Sequence, residues 1–188
     1  YMLFHHFLFK KIKTKVIVMT SGNFSDEPII TKNEIALSAF TDKADAVITY
    51  NRKIHNRTDD SVGIVMNDSF NLIRRSRGYA PSSVNMDFNT EGIFAAGAEF
   101  VNCFCIGKDS RAFMSQHIGD LKNLETFEFY KKSYQLYKRL FRFNPGLIVS
   151  DLHPDYLSTK FANKLSEENP GIKHIKVQHH HAHIASCM

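Results

Sequence analysis

The strongest constraint on the fold of this chain is an aromatic stripe in its second half. Phe127, Tyr130, Tyr134, Tyr137 and Phe141 recur every three or four residues, which is the spacing that places side chains on one face of an α-helix. Acidic residues stand at the start of this segment and basic residues at its end, as the helix dipole favours. We therefore predict a long helix whose aromatic face belongs to a hydrophobic core.

The segments around this helix have the length and composition of short strands and one further helix. In chain order we predict strands at 93–96, 100–106 and 111–115, the aromatic helix, a strand at 147–150, a helix at 156–168 and a strand at 174–178. The last strand–helix–strand unit should be a right-handed crossover between parallel strands. This order is similar to that of the actin/Hsp70-type nucleotide-binding half-domain, so the expected fold class is α/β.

The first half of the chain has weaker periodicity. It is predicted to contain strands at 16–19 and 46–49, a helix from the capping-box sequence Thr31–Glu34 to about Phe40, and a hairpin of 61–66 and 70–75 around Asn67-Asp68. Between Gly78 and Glu91 periodicity is lost and turn-forming residues dominate. We place the domain boundary in that stretch, with residues 1–85 in the first domain and 86–188 in the second.

Composition limits the classes of function. The net charge of +5 and a pI near 9.1 favour anionic ligands such as phosphates, nucleotides or RNA. Three cysteines without a CxxC pair indicate a reducing cytosol. No apolar run approaches the roughly 20 residues of a membrane span, so we expect a cytoplasmic protein without a membrane segment. The chain does not begin with methionine, and both ends look like cuts in a longer protein.

A loop of small polar residues follows the first predicted strand. Thr20, Ser21 and Asn23 surround Gly22 and offer hydroxyl groups, an amide and backbone N–H groups. Loops of this kind can bind phosphate or carbonyl oxygens. The alternative is a simple turn, because small polar residues after a strand usually form only that.

The polar loop before the hairpin combines a cation with two carboxylates and a hydroxyl group. It reads Arg57-Thr58-Asp59-Asp60-Ser61. Adjacent carboxylates repel each other, so a pair such as Asp59 and Asp60 generally needs Mg²⁺ or an arginine nearby. Arg57, Asp60 and Ser61 are therefore candidate nucleotide ligands. A solvated loop of the same composition is the alternative.

Three arginines lie at the end of the hairpin, in the sequence Arg74-Arg75-Ser76-Arg77-Gly78-Tyr79-Ala80-Pro81. Guanidinium groups suit phosphate oxygens because they form paired hydrogen bonds with them. A purely solvated surface could use lysine as well, yet all three cations are arginine. We interpret Arg74 and Arg77 as part of a triphosphate clamp, and a nonspecific RNA-binding patch is the alternative.

Four of the ten histidines fall within Gln178–His183. If this segment opens a helix, His179 and His183 stand one above the other on one face and can reach the same divalent metal. A histidine-rich surface turn or a truncated purification tag would have a similar composition. A tag would be an uninterrupted run of histidines, which this segment is not.

Two further segments mix histidine with carboxylates after a predicted strand. They are Ser115–Leu121, which contains His117, and Asp151–Tyr156, which contains His153. Ligands bind at the carboxyl ends of strands in α/β sheets. Each histidine could orient a substrate, bind a metal or hydrogen-bond to nearby backbone, and the spacing does not distinguish these roles.

Seven segments of the chain carry a resemblance to one known family. They are Thr20–Asn23 with Ser25 and Glu27-Pro28-Ile29; Arg57 with Asp59–Val62; Arg74–Pro81; Gly97, Glu99 and Asn102; Ser115–Leu121; Asp151–Tyr156; and Gln178–His183. They occur in family order and cover essentially the whole chain. With them the chain resembles the HypF-type carbamoyltransferases, which mature NiFe hydrogenases.

The resemblance implies two incomplete domains. The first, to about Pro81, would be the end of a YrdC-like α/β domain, which joins carbamate to ATP, releases pyrophosphate and gives carbamoyl adenylate. The second would be the first half of an actin-like domain that transfers the carbamoyl group to the C-terminal cysteine of HypE, for the cyanide ligands of the hydrogenase iron. Carbamoyl phosphate and ATP would be the substrates, with Mg²⁺ and iron or zinc as cofactors.

The resemblance also implies roles for single residues. Contact with ATP or the adenylate is implied for Ser21, Asn23, Arg57 and Arg77, and metal binding for His179 and His183, with a carboxylate ligand beyond Met188. The chain departs from the family at Val101, where a lysine is usual, at Cys103, often a threonine, and at Gly63 and Ile64, near which an arginine is common. These departures leave the details of nucleotide contact open in both domains.

Several segments of that family are absent from the 188 residues: the acylphosphatase domain, the zinc-finger segment, the start of the YrdC-like domain and the second half of the actin-like domain. We therefore expect these residues by themselves to be inactive. One rival function is a related threonylcarbamoyl- or O-carbamoyl-transfer enzyme, against which the module order and the Asp151–Tyr156 segment argue. The other is an RNA-binding module using Arg74–Arg77, against which the carboxylates near the basic segments argue.

Overall fold

The strands of the second half form a mixed sheet together with residues 84–85, while the other described residues of the first half form two helices and a separate hairpin. The structure is a computed structural model that describes residues 3–24 and 27–188. Its helices are α1 (Leu3–Lys11), α2 (Asn33–Phe40), α3 (Leu124–Leu140), α4 (Leu157–Glu168) and α5 (His179–Ala185). Its strands are β1 (Val62–Met66), β2 (Ser69–Arg74), β3 (Val84–Asn85), β4 (Ile93–Ala95), β5 (Cys105–Lys108), β6 (Arg111–Met114), β7 (Leu147–Asp151) and β8 (Lys173–Val177). Ser25, one of the residues that carry the family resemblance, lies outside the described residues.

The main sheet has the strand order β3-β6-β5-β4-β7-β8. Strand β5 pairs antiparallel with both β4 and β6, whereas β7 pairs in parallel with both β4 and β8. Phe94 of β4 lies opposite Ile106 on one side and Ile148 on the other. Helix α4 connects the parallel strands β7 and β8, as the strand–helix–strand pattern predicted. The predicted order of three antiparallel strands, helix, strand, helix and strand is confirmed.

Strand β5 begins later than predicted. The sequence predicted a strand from Phe100, but β5 starts at Cys105. Val101 has a φ of 49°, a left-handed conformation that interrupts an extended chain. Asn102 pairs with Gly119 instead, and its N–H donates to the Gly119 carbonyl at 3.0 Å. This pairing fixes the loop after β6 against the loop before β5.

The aromatic stripe lies at the centre of the hydrophobic core, as predicted. Tyr130, Tyr134 and Tyr137 of α3 are at most 3% exposed. Their rings pack on Phe94 and Phe104, with centroids 4.6 Å apart for Phe94 and Tyr134 and 5.1 Å apart for Phe104 and Tyr137. Such tilted and edge-to-face pairs add to the stabilisation from burial. The core therefore lies between α3 and the sheet of the second half.

The predicted hairpin and short helix of the first half are confirmed. Strands β1 and β2 are joined by Asn67 and Asp68, whose φ angles of 50° and 59° fit a two-residue hairpin turn. Helix α2 begins at Asn33, and its N-cap is Lys32, which makes no side-chain capping bond. The capping role predicted for Thr31 is therefore wrong, because the helix begins one residue too late for it.

The strands predicted at 16–19 and 46–49 are wrong. Both segments lie outside the paired strands of the described chain, and Val18 is 98% exposed. An apolar run becomes a strand only when a neighbouring backbone supplies hydrogen-bond partners, which the local pattern does not reveal. No sequence pattern predicted α1. Neither α1 nor any other described helix is long and apolar enough to span a membrane.

Candidate functional site

A cavity of about 410 Å³ lies between the two halves of the molecule, and we call it the interface cavity. Its walls carry polar side chains from several loops that are distant in sequence. From the first half they are Ser21, Asn23, Glu27, Arg57, Asp59 and Arg74, and from the second half His117, Asp120 and Thr126. Four of the predicted nucleotide residues, Ser21, Asn23, Arg57 and Arg74, therefore line one cavity.

The small-residue loop is held in shape by its own amide. Nδ2 of Asn23 donates to the carbonyl oxygens of Phe24 at 3.0 Å and Glu27 at 2.8 Å. These bonds fix the wall that Ser21 and Asn23 give to the interface cavity. Thr20, the first residue of the predicted group, is exposed and lies outside this wall.

Arg57 lines three neighbouring cavities, two of which also contain other predicted nucleotide residues. It lines the interface cavity and a neighbouring one, the Arg77 cavity, which also contains Thr58 and Arg77. Its Cζ lies 5.4 Å from the centre of the Phe129 ring, which is a cation–π contact. Burial lowers the pKa of Arg57 and Glu125 partly offsets this, but arginine stays protonated at neutral pH. Arg57 is therefore a fixed positive charge where these cavities meet.

The three arginines after the hairpin do not form a single clamp. Arg74 lines the interface cavity and Arg77 the other one. Nη2 of Arg75 donates to the carbonyl of Ser82 at 2.8 Å, and Nη2 of Arg77 donates to the carbonyl of Thr58 at 3.1 Å. The cations are divided because strand β2 ends at Arg74, whereas Arg77 lies in the turn that follows the strand. RNA binding by this segment stays an untested alternative.

Ser61 and Asp60 have different surroundings. Oγ of Ser61 donates to the Arg77 carbonyl at 2.8 Å and accepts from the Ser76 N–H at 2.9 Å, so Ser61 joins the polar loop to the arginine segment. The Asp60 side chain is 85% exposed, with Oδ1 3.4 Å from Nε of Arg77. The Asp60 carboxylate is therefore exposed to solvent, whereas the Ser61 hydroxyl is used within the fold.

Asp59 and His117 form a direct contact between the two halves. Nδ1 of His117 lies 2.9 Å from Oδ2 of Asp59, and it must donate because an ionised carboxylate only accepts. This hydrogen bond lowers the pKa of Asp59, burial opposes the shift, and Arg74 and Arg77 add to it. Sequence reasoning singled out His117 without a role and left Asp59 out of the candidate ligands, because nothing local indicated that the two would meet.

The histidine-rich segment opens a helix, as the metal hypothesis required. Gln178 is the N-cap of α5, and Nε2 of His179 and Nε2 of His183 are 3.1 Å apart. Two nitrogens bound to one tetrahedral metal at about 2.0–2.1 Å would be about 3.3 Å apart. The pair therefore fits a shared metal. No group of three or more potential ligands of this kind occurs among the described residues, so the pair supplies two ligands only.

The carboxylate of Asp151 contacts the other nitrogen of the His179 ring, Nδ1. Oδ2 of Asp151 lies 2.8 Å from Nδ1 of His179, while Oδ1 accepts from the His153 N–H at 2.9 Å. The Asp151 side chain is only 7% exposed, so its position is fixed at the end of β7. A carboxylate on Nδ1–H leaves Nε2 as the free metal-binding nitrogen. Sequence reasoning noted Asp151 in its segment but not this role.

His153 and the two internal cysteines have local roles. Nδ1 of His153 accepts from the Asp155 N–H at 3.2 Å, and its ring stacks on Tyr156. Of the roles left open for this histidine, bonding to local backbone is the one observed. Burial raises the pKa of both Cys103 and Cys105 to about 11, so neither thiol is a nucleophile at neutral pH.

Comparison with known proteins assigns the family. A family model described as the HypF Kae1-like domain matches residues 88–188. The chain belongs to the HypF family. A second model, for the Sua5/YciO/YrdC family and described as telomere recombination, matches residues 1–76. The predicted combination of a YrdC-like part with the first half of an actin-like domain is thereby confirmed.

Curated relatives and solved structures agree with this assignment. Carbamoyltransferase HypF2 of Cupriavidus necator is 39% identical over 92% of this chain, and carbamoyltransferase HypF of Synechocystis is 37% identical over 98%. The chain spans only 22% and 23% of these two relatives. A full-length HypF in the phosphate- and nucleotide-bound form has a TM-score of 0.81 and 45% identity, covering 90% of this chain and 26% of that one. The solved structure of T. kodakarensis HypF matches with a TM-score of 0.81 and 38% identity. The match covers 89% of this chain and 22% of the T. kodakarensis chain.

Proposed function

We propose that this chain is the central part of a carbamoyltransferase that acts in hydrogenase maturation. The HypF relatives are named carbamoyltransferases, and a solved relative binds phosphate and nucleotide. The observation that carries the proposal is the interface cavity, in which Arg57, Arg74 and the Ser21–Asn23 loop come together. Fixed cations beside a loop of small polar residues are what a nucleotide phosphate requires.

The first reaction is the formation of carbamoyl adenylate. Carbamoyl phosphate and water give carbamate and phosphate, and a carbamate oxygen then attacks the α-phosphorus of ATP while the bond to pyrophosphate breaks. Negative charge accumulates on the leaving pyrophosphate, and Arg57 and Arg74 are placed to stabilise it in the interface cavity. Mg²⁺ bound to the triphosphate would neutralise further charge, and the exposed carboxylate of Asp60 is the group that suits contact with it.

The second reaction is transfer to a HypE-type acceptor protein. The terminal cysteine of the acceptor attacks the carbamoyl carbon as a thiolate, the bond to AMP breaks, and a thiocarboxamide forms. His179 and His183 would hold iron or zinc, which supplies a Lewis acid for the carbamoyl oxygen or the phosphate. Asp151 keeps the Nδ1–H of His179 occupied, so that Nε2 would be the nitrogen available to a metal.

The two reactions are tested separately in a full-length protein that contains this chain. Carbamoyl-phosphate-dependent exchange of pyrophosphate into ATP reports the first, and mass spectrometry of the acceptor's terminal cysteine reports the second. We expect Arg57→Ala and Arg74→Ala to lower exchange by about 100-fold each, as for other groups that stabilise transition-state charge.

Metal-site variants should separate the two reactions. His179→Ala and His183→Ala should abolish metal binding and carbamoyl transfer but leave pyrophosphate exchange close to wild type. The matched control is His181→Ala, an exposed histidine on the same helix, which should preserve both reactions. Wild-type protein without carbamoyl-phosphate-dependent exchange would refute the proposal.

A further inference from the structure

Three side-chain contacts join residues 56–59 of the first half to the second half. Oδ1 of Asn56 accepts from Nε2 of Gln116 at 3.3 Å. Arg57 lies over the Phe129 ring, and Asp59 accepts from His117 at 2.9 Å. Asn56, Arg57 and Asp59 therefore all contact the second half. Of these three, Arg57 is a proposed nucleotide ligand.

The second half provides the rigid side of these contacts. Ser115 and Gln116, which precede His117, are 0% and 2% exposed. Oγ of Ser115 accepts from the Phe104 N–H at 3.1 Å, and Ile118 N–H donates to the Asn102 carbonyl at 2.9 Å. His117 is thus fixed on both sides by bonds to the core of the second half.

The residues that the first half contributes to these contacts are less constrained. Asp59 is held by His117 through its side chain and by Arg77 through its backbone, since the Arg77 N–H donates to the Asp59 carbonyl at 3.1 Å. The flanking residue Asp60 is exposed. Arg74 and Arg77 also act on the Asp59 carboxylate through their charges, but the His117 bond is the contact that ties it to the second half, so without this bond the loop that carries Arg57 would lose a fixed anchor.

We propose that His117, a residue of the actin-like half, is a positioning residue for the adenylate-forming site of the YrdC-like half. Its Nδ1–H holds Asp59, and through Asp59 it holds Arg57 in the position to contact the triphosphate. This inference rests on the proposed function. It predicts that a change in the second half impairs the first reaction.

The direct test is pyrophosphate exchange with His117 variants of a full-length protein that contains this chain. His117→Ala should lower kcat/KM for ATP by roughly tenfold to hundredfold, the effect of losing a hydrogen bond to a charged group. His117→Asn should restore most of the loss, because its amide nitrogen occupies the place of Nδ1. His117→Gln should not, because its amide nitrogen corresponds to Nε2. His181→Ala is the matched control and should match wild type.

A double-mutant cycle attributes the effect to the contact itself. Asp59→Asn should impair exchange, and combining it with His117→Ala should cost little more than either change alone, because both remove one interaction. Additive losses would contradict the proposal. If His117→Ala does not fold, the comparison of the Asn and Gln variants still decides, since both keep a polar side chain of similar size.

The outcomes distinguish this inference from the proposed function. If the wild-type protein lacks carbamoyl-phosphate-dependent exchange, the proposed function fails. If exchange depends on Arg57 and Arg74 while His117→Ala behaves like His181→Ala, the proposed function stands and the role of His117 is refuted. Equal activity of the Asn and Gln variants would likewise refute it.

Discussion

The two halves of the molecule differ sharply in how much they bury. Among residues 3–24 and 27–188, all twelve buried hydrophobic residues lie between Phe94 and Ala162, in the second half. In the described residues of the first half, Ser76 is the single buried side chain. Helices α1 and α2 contain no buried residue, and hairpin residues such as Val65 and Ile73 are 68% and 69% exposed.

The difference shows that a helix or hairpin buries its apolar side chains only when another element packs against it. Helix α3 lies on a sheet and buries its aromatic face there, so both elements are stabilised. The hairpin of β1 and β2 is a two-stranded sheet, which is marginally stable by itself. We therefore expect the second half to determine the stability of the chain, and the first half to be ordered mainly by turns and by its contacts with the second.

The largest expected effect is loss of a core aromatic residue. Phe104→Ala removes a fully buried ring that contacts Tyr130 and Tyr137, and it should lower the free energy of unfolding by about 3–5 kcal/mol. Phe70→Ala, in the hairpin at 55% exposure, should cost less than about 1 kcal/mol. Denaturant unfolding followed by circular dichroism measures both. Equal losses would contradict the contrast between the halves.

A smaller effect is expected from a matched pair of glycine substitutions. A Cβ at Gly107 of β5 would collide with the backbone of Thr90, whereas no atom of the residues that the structure describes lies within 4 Å of one at Gly22. Gly107→Ala should therefore cost about 1–3 kcal/mol through overpacking, and Gly22→Ala should change stability by less than about 0.5 kcal/mol. Thermal unfolding of the two variants side by side tests this. A large cost at Gly22 would contradict the contrast in packing between the two halves.

The smallest effect concerns the contact between the halves. Because the hydrogen bond from His117 lowers the pKa of Asp59, the contact is fully present above the ordinary value of 3.8 and is lost as the pH falls through the lowered value. Asp59→Asn should weaken the contact by about 0.5–1 kcal/mol near pH 6, a value reduced for solvent screening, and the difference from wild type should shrink as the pH falls below the ordinary value of 3.8 and through the lowered one. Hydrogen exchange of the peptide around residues 56–61 measures it, with Asp60→Asn as the exposed control. An effect of Asp60→Asn as large as that of Asp59→Asn would contradict the assignment.

The parts of the fold that were predicted correctly depend on local patterns. The aromatic stripe of α3 and the turn at Asn67-Asp68 are each encoded within a few residues. The strands predicted at 16–19 and 46–49 failed because strand formation needs a partner backbone, which a short apolar run does not specify. Strand β5 starts late because Val101 adopts a left-handed conformation. Because β-branched residues rarely adopt it, the sequence did not indicate it.

The sequence by itself determined the kinds of chemical group present and their order along the chain: arginines and small polar residues first, then paired histidines at helical spacing. Only the tertiary structure decided which groups meet. Asp59 and His117 are 58 residues apart in sequence, and Asp151 and His179 are 28 apart. Periodicity predicts which face of an element a side chain occupies, but the packing of distant elements decides what lies opposite that face.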